Sequence, residues 1–154
     1  MADFQLRPIA LADHAAVCEL WRQHEGPAAA MPLDAFTRFL ERNPGISLAA
    51  VETTPAGDEV MIGAAWCGHD GQRGLLHHVA VRRSHRLRGV GRALVTGCLA
   101  ALAAARIGAC TSFVRGANRD AMMFWRHLGW LYENDLTALR HAIEVPELPA
   151  APAT

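Results

Sequence analysis

Seven consecutive residues, Arg86-Leu87-Arg88-Gly89-Val90-Gly91-Arg92, carry the most readable chemistry in this chain. A pyrophosphate is held where several free backbone N–H groups converge, where a helix begins so that its dipole favours negative charge, and where no side chain blocks the approach. The segment supplies all three. Gly89 and Gly91 lack Cβ atoms where a ligand must come close. Beyond them Val90, Ala93, Leu94, Cys98, Ala101, Leu102 and Ala105 recur at helical spacing, so the glycines open a helix and not a hairpin. The arginines can pair with phosphate oxygens, bidentately where geometry allows. The alternative is a solvated loop–helix junction with no ligand. Arg82, Arg83, Arg86, Arg88 and Arg92 form a local basic patch, but no aromatic residues are interleaved to stack on bases and the formal net charge is zero. Both observations argue against a nucleic-acid surface, and the neutral balance removes any global attraction to anionic membranes.

The elements that must position this segment follow from spacing and turn residues. Phe4 to Arg7 alternates like a short strand, and Asp13 can cap a helix running to about His24 that Gly26-Pro27 ends. A second helix fits Leu33 to Arg42, with Phe36, Phe39 and Leu40 on one face, before Asn43-Pro44-Gly45 breaks the chain. Ile46 to Glu52 and Val60 to Cys67 read as a hairpin, and a turn over Gly68 to Gly74 leads to a third strand, Leu75 to Val81. The helix after Gly89 should end at Gly108, followed by a buried strand over Ala109 to Val114. Asn118 can cap a helix over Arg119 to Leu128 that Gly129 closes in a left-handed conformation. Two last β-like pieces lie around Leu131 and from Leu136 to Ile143. The order β-α-α-β-β-β-α-β-α-β-β contains one strand-helix-strand crossover, hence a parallel pair in an otherwise antiparallel sheet: an α/β fold with a mixed central sheet.

At 154 residues the chain is expected to form a single domain over residues 1–145, with residues 146–154, rich in Pro and Ala, as a disordered tail. No apolar run approaches the ~18 residues of a membrane span, and the N-terminus lacks the basic start and apolar stretch of a secretory signal. Cys18, Cys67, Cys98 and Cys110 are scattered without C-x-x-C pairs or histidines at ligand spacing, so they read as free thiols of a cytoplasmic protein with no metal. All fifteen basic residues are arginine, so the protein cannot acylate lysine side chains of its own.

A strand ending Val79-Ala80-Val81 followed by R-x-x-G-x-G resembles the acetyl-CoA motif of the GNAT N-acetyltransferases. Asn118, opening a helix that ends Phe124-Trp125-Arg126-His127-Leu128-Gly129-Trp130, is similar to that family's second motif. The resemblance covers the element order of almost the whole chain. It implies a GNAT fold, small bacterial members being most similar over Gly68 to Val81, with a cofactor cleft where a bulge splays the fourth strand from the fifth. It further implies that Val79, Ala80 and Val81 line the pantetheine arm and that Arg86, Leu87, Arg88, Gly89, Val90, Gly91 and Arg92 hold the pyrophosphate. Asn118 would hydrogen-bond acetyl-CoA, Phe124 would pack against it with Trp125 beside it, and the Val79 backbone N–H would stabilise the oxyanion.

The implied reaction is direct attack of a primary amine, from a small amine, an amino acid or a protein N-terminus, on the acetyl thioester. An attacking amine must be neutral, and an imidazole of pKa ~6.5 suits proton removal. His77 and His78 immediately precede Val79, and strand alternation allows only one to face the cleft unless the bulge intervenes. Trp125 stands where the family usually has a tyrosine acid, and an indole N–H cannot protonate a thiolate. This departure leaves a second reading, a GNAT-fold module that binds acetyl-CoA or CoA as a regulatory ligand. For the acceptor, Trp21, Glu25 and Asp70 are the candidate contacts, an aromatic beside carboxylates being suited to a cationic amine. The resemblance also allows a homodimer built on the apolar C-terminal strands.

Overall fold

The structure, a computed structural model, describes residues 3–26 and 31–153. Strand β1 (Gln5–Pro8) leads through a 3-10 turn at Leu11–Asp13 into helix α1 (His14–Glu25). Asp13 caps the turn rather than the helix: its carboxylate accepts from the Ala10 N–H at 2.8 Å and from two nitrogens of Arg7 at 2.7 and 2.9 Å. That ion pair holds the Asp13 carboxyl below its ordinary range. Gly26, at φ +84°, takes the chain out of α1; Pro27, expected to help end it, lies outside the described residues. Helix α2 (Leu33–Arg42) matches its expected span, and strands β2 (Leu48–Thr53), β3 (Glu59–His69) and β4 (Gly74–Val81) form the meander.

After a second 3-10 turn at Arg83–His85 come helix α3 (Val90–Ala104), the two-residue strand β5 (Cys110–Thr111) and helix α4 (Arg119–His127). Gly108 does not end α3. Arg106, at φ +66°, takes the left-handed position, and Ile107 N–H reaches back to Leu102 O at 2.9 Å.

The sheet runs β1-β2-β3-β4-β5, antiparallel except for the parallel β4–β5 pair. Both of its faces are covered, which is why β2 and β3 are apolar almost throughout instead of alternating. One face packs Ile62, Ala65, Cys67 and Leu76 against Val90, Leu94, Val95, Cys98 and Leu102 of α3. The other packs Ala64, Trp66 and Ala80 against Val17, Leu20 and Trp21 of α1 and Phe36 of α2. On that second face Trp21 meets Trp66 edge-on at 5.3 Å, and the Phe36 and Phe39 rings stack on Trp66 at 4.8 and 4.4 Å.

Two further expectations change. The strand expected over Ala109 to Val114 shrinks to Cys110–Thr111, paired only as Gly74–Cys110 and Leu75–Thr111. The two β-like pieces around Leu131 and from Leu136 to Ile143 form no strand, and Leu131, Leu136, Leu139 and Ile143 are exposed. Strand propensity is expressed only against a paired edge, and a two-residue β5 offers almost none.

Candidate active site

The bulge that decides the site lies between β3 and β4. Trp66 pairs with His78 and Cys67 with Leu76, so His77 and His78 together oppose a single residue of β3. The extra residue reverses the parity of the strand. Leu76, Val79 and Val81 belong to the α3 face, while both histidine rings lie with the α1/α2 aromatics, His77 5.5 Å from Phe39 and His78 4.8 Å from Trp21. Both histidines therefore share one face, where simple alternation would have separated them.

The same parity governs the backbone. Arg82 N–H donates to Ile62 O at 2.8 Å, towards β3, so alternation turns the Val79 and Val81 N–H groups to the opposite side. β5 has already ended there. Beyond the Leu75–Thr111 pair and a bond from Ser112 Oγ to Leu76 O at 3.0 Å, no strand among the described residues lies beside the β4 edge from His77 to Val81, where Arg86 Nε donates to Val81 O at 3.4 Å.

That open edge leads directly to the loop. Leu87, at φ +61° and fully exposed, and Gly89, at φ +81°, alternate with residues of ordinary backbone and curl the chain into the start of α3. Among the described residues, the N–H groups of Leu87 to Arg92 make no well-formed hydrogen bond to a backbone acceptor; the first is Ala93 to Gly89 O at 3.0 Å. Such a nest of N–H groups at a helix N-terminus is an anion-binding geometry. Gly91 is favoured for a different reason: a Cβ there would stand 3.1 Å from the Phe124 ring, which lies across the first turn of α3 and would have to shift. Asn118 Oδ1 caps α4 by accepting from Ala121 N–H at 3.1 Å. Trp125 packs against Phe124 at 5.2 Å and Trp130 at 4.5 Å, beside the α3 core.

The last turn of α1 faces this edge from the other side. Trp21 and Glu25, four residues apart on one helix face, both touch His78, whose Nδ1 lies 2.9 Å from Glu25 Oε1 and 2.8 Å from Oε2. His24 Nε2 lies 2.7 Å from Arg86 Nη2. Asp70 is not brought to this cluster. Its carboxylate accepts from the Gln72 and Arg73 N–H groups, both at 2.8 Å, within the turn that precedes β4.

The Acetyltransferase (GNAT) family model matches residues 13–130. This chain belongs to the GNAT acetyltransferase family. Solved GNAT neighbours establish the fold. Ard1 from Thermoplasma volcanium is 16% identical, with 84% of each chain covered and a TM-score of 0.71. An aminoglycoside acetyltransferase from an uncultured soil metagenomic sample, solved with trehalose, is 13% identical over 92% of this chain and 97% of its own, TM-score 0.74. The aminoglycoside N-acetyltransferase AAC(6')-Iy, solved with CoA, is 18% identical over 91% and 95%, TM-score 0.69. No curated protein sequence matches the chain.

Within this GNAT domain the structure adds residues that sequence reading passed over. His85 Nε2 lies 3.0 Å from Glu52 Oε2 and its Nδ1 lies 2.8 Å from Ser84 Oγ, tying the loop's first residues to the end of β2. A cleft of ≈ 450 Å³ lined by Asp3, Phe4, Glu52, Ile62 and His85 shares Arg88 and Val90 with that loop. The only signal in the sequence was the position of His85 immediately before the arginine segment, since its partner is 33 residues away.

Electrostatically, desolvation and, secondarily, the neighbouring His78 push the His77 pKa below its ordinary value. Desolvation and the Arg86 charge push that of His24 down, partly offset by Glu25. All four cysteines are free; against a lowering contribution from Cys110, Cys98 and burial push the Cys67 thiol up to about 12. Among the described residues no group of three or more His, Cys, Asp or Glu could hold a metal ion, and no helix is long and apolar enough to cross a membrane.

Proposed function

We propose that the chain moves an acetyl group from acetyl-CoA to a primary amine, a small amine, an amino acid or a protein N-terminus, by direct attack. The observation that carries this reading is the continuity of the open β4 edge with the unbonded N–H groups of Leu87 to Arg92. An extended amide-bearing arm ending in a pyrophosphate fits both. Val79 and Val81 would pair with the arm, Ala80 backing them. The Leu87–Gly91 nest, with Arg86, Arg88 and Arg92 around it, would hold the phosphates. Phe124 and Trp125 would wall the cofactor, and the Asn118 amide nitrogen, left over from capping, would donate to it.

Acetyl-CoA supplies the activated thioester: a C–N bond forms, the C–S bond breaks and CoA leaves as the thiol. The Val79 N–H, turned to the open edge, would donate to the oxygen on which charge develops. His77 or His78 would take the proton of the acceptor amine, and Glu25 would receive the cation; Trp21, fully buried against Trp66 and lying under the His78 ring, backs that ring and does not reach the acceptor. Asp70 is left out of this set because its carboxylate is held in the turn. The free cysteines fit work in the reducing cytoplasm.

Trp125, packed on Trp130, favours one second reading: a module that binds acetyl-CoA or CoA without turning it over. Thermal unfolding with acetyl-CoA, CoA and ATP tests the common core of both. At a ligand concentration about a hundred times Kd, linkage gives ~2.7 kcal/mol, a midpoint rise of roughly 5–10 °C. A rise with acetyl-CoA and little with ATP supports the cofactor site, and no rise with either CoA species removes it. Amine-dependent release of free CoA then separates the enzyme from the binding module.

A further inference from the structure

We infer that Glu25 is a positioning residue which fixes His78, and not His77, as the proton acceptor by holding its ring as the Nδ1–H tautomer with Nε2 free. The inference deepens the transferase reading and rests on it.

The argument is one of donor and acceptor chemistry. A carboxylate can only accept, so an Nδ1 within 2.9 Å of one Glu25 oxygen and 2.8 Å of the other must carry the hydrogen. In the neutral ring Nε2 then has its lone pair exposed, and among the described residues it has no hydrogen-bond partner. Three contacts from two elements hold the ring: Glu25 at Nδ1, the Trp21 face at 4.8 Å, and the bulge that turns His78 towards α1. Trp21 is fully buried against Trp66, so the wall behind the imidazole is rigid. His78 remains 23% exposed and Glu25 42%, so the pair is open to an incoming molecule rather than sealed in the core.

His77 lacks these features. Its ring meets Phe39 edge-on and has no hydrogen-bond partner among the described residues, so nothing selects its tautomer. His78 is also the residue immediately before Val79, whose N–H faces the open edge. A base and an oxyanion donor would thus be consecutive on one strand, on two adjacent sides of it. The step balances: the acceptor ammonium loses a proton to Nε2 and the imidazolium passes it to water, the neutral amine attacks as the C–S bond breaks, and the second N–H proton, lost as the amide forms, goes to the departing thiolate to give the CoA thiol.

The tautomer test needs no knowledge of the acceptor. Nitrogen-15-labelled full-length protein is studied by long-range imidazole spectra at about pH 8.5, where an ordinary histidine ring is neutral, with the His78 signals assigned by their loss in His78→Gln. The expected result is an Nδ1–H ring in wild type, retained in Glu25→Gln, whose amide oxygen still accepts, and replaced mainly by Nε2–H in Glu25→Ala. An Nε2–H ring in wild type, or an Nδ1–H ring that persists in Glu25→Ala, overturns the proposal. The split between the Gln and Ala variants reads the Nδ1 contact, and the pH profile of amine-dependent CoA release reads its use: the acidic limb should survive in His77→Gln, shift in Glu25→Ala and disappear in His78→Gln, and a limb unmoved in His78→Gln overturns the proposal. Calorimetric titration of the same samples with acetyl-CoA keeps the two readings apart: no binding by wild type sinks the transferase reading, whereas the tautomer decides the dyad.

Discussion

Arg86 Nη2 lies 2.7 Å from His24 Nε2, so the first arginine of the loop is tied to the last turn of α1. A guanidinium only donates, so His24 must accept through Nε2 and be neutral for the contact to exist. Its lowered pKa, caused first by desolvation and then by the Arg86 charge, fits that state. His24 therefore binds a proton less readily folded than unfolded, as does His77. For both, stability is fully present above the unfolded value near 6.5 and is lost as pH falls towards the depressed folded values. Urea unfolding of wild type from pH 7.5 to 5.5 should show this loss, and His24→Gln should flatten part of it. An unchanged pH dependence in His24→Gln would mean that the Arg86 contact does not form in solution.

Much of this arrangement was legible in the sequence. The meander is written in apolar runs separated by Gly, Asp and Pro turns, and the loop that opens α3 in Gly89, Gly91 and the helical stripe behind them. What was not legible depends on register or on distant partners. Whether one or both histidines face α1 is decided by the bulge opposite Trp66, a property of two strands together. Glu25 and His78 are 53 residues apart, His24 and Arg86 62, and neither pairing has a local signature. The C-terminal pieces failed for a related reason, because Leu136 to Ile143 has strand-like residues but no edge to pair with.

Gly89 should be intolerant for reasons of backbone rather than space. Nothing lies within 4 Å of the position a Cβ would take, but φ is +81°. Gly89→Val forces a β-branched residue into the left-handed region at a cost of about 1–2 kcal/mol, or unwinds the loop to escape it. In the first case urea unfolding loses stability and the branched side chain stands in the approach to the loop; in the second the N–H nest is spoiled. The expected result is a rise of more than about tenfold in the acetyl-CoA Kd, roughly 1.4 kcal/mol. Unchanged affinity would place the phosphates elsewhere.

The segment Pro146 to Ala153 is exposed and without regular structure. We expect a chain ending at Val145 to unfold within about 1 °C of wild type and to bind acetyl-CoA equally, since removing exposed residues that pack against nothing has little effect. A substantial drop in the midpoint would show that these residues cover part of the domain.

Two neighbouring prolines separate the role of the open edge from that of the ladder. The Val79 N–H faces away from β3, so Val79→Pro removes no bond to the sheet, and proline is tolerated where its missing donor lies on an unpaired side. The Ala80 N–H faces β3 opposite Ala64, so Ala80→Pro breaks a ladder bond at a fully buried position and should cost ~3 kcal/mol or more. If the Val79 N–H stabilises the oxyanion, Val79→Pro keeps most of its stability yet loses about 10²–10³-fold in kcat with any amine the enzyme accepts. Parallel urea unfolding and CoA-release kinetics on the two variants read both quantities. Full turnover in a folded Val79→Pro protein would remove that N–H from the mechanism, and equal destabilisation by both prolines would mean that the strand parity set by the bulge is not the one derived from the Arg82–Ile62 bond.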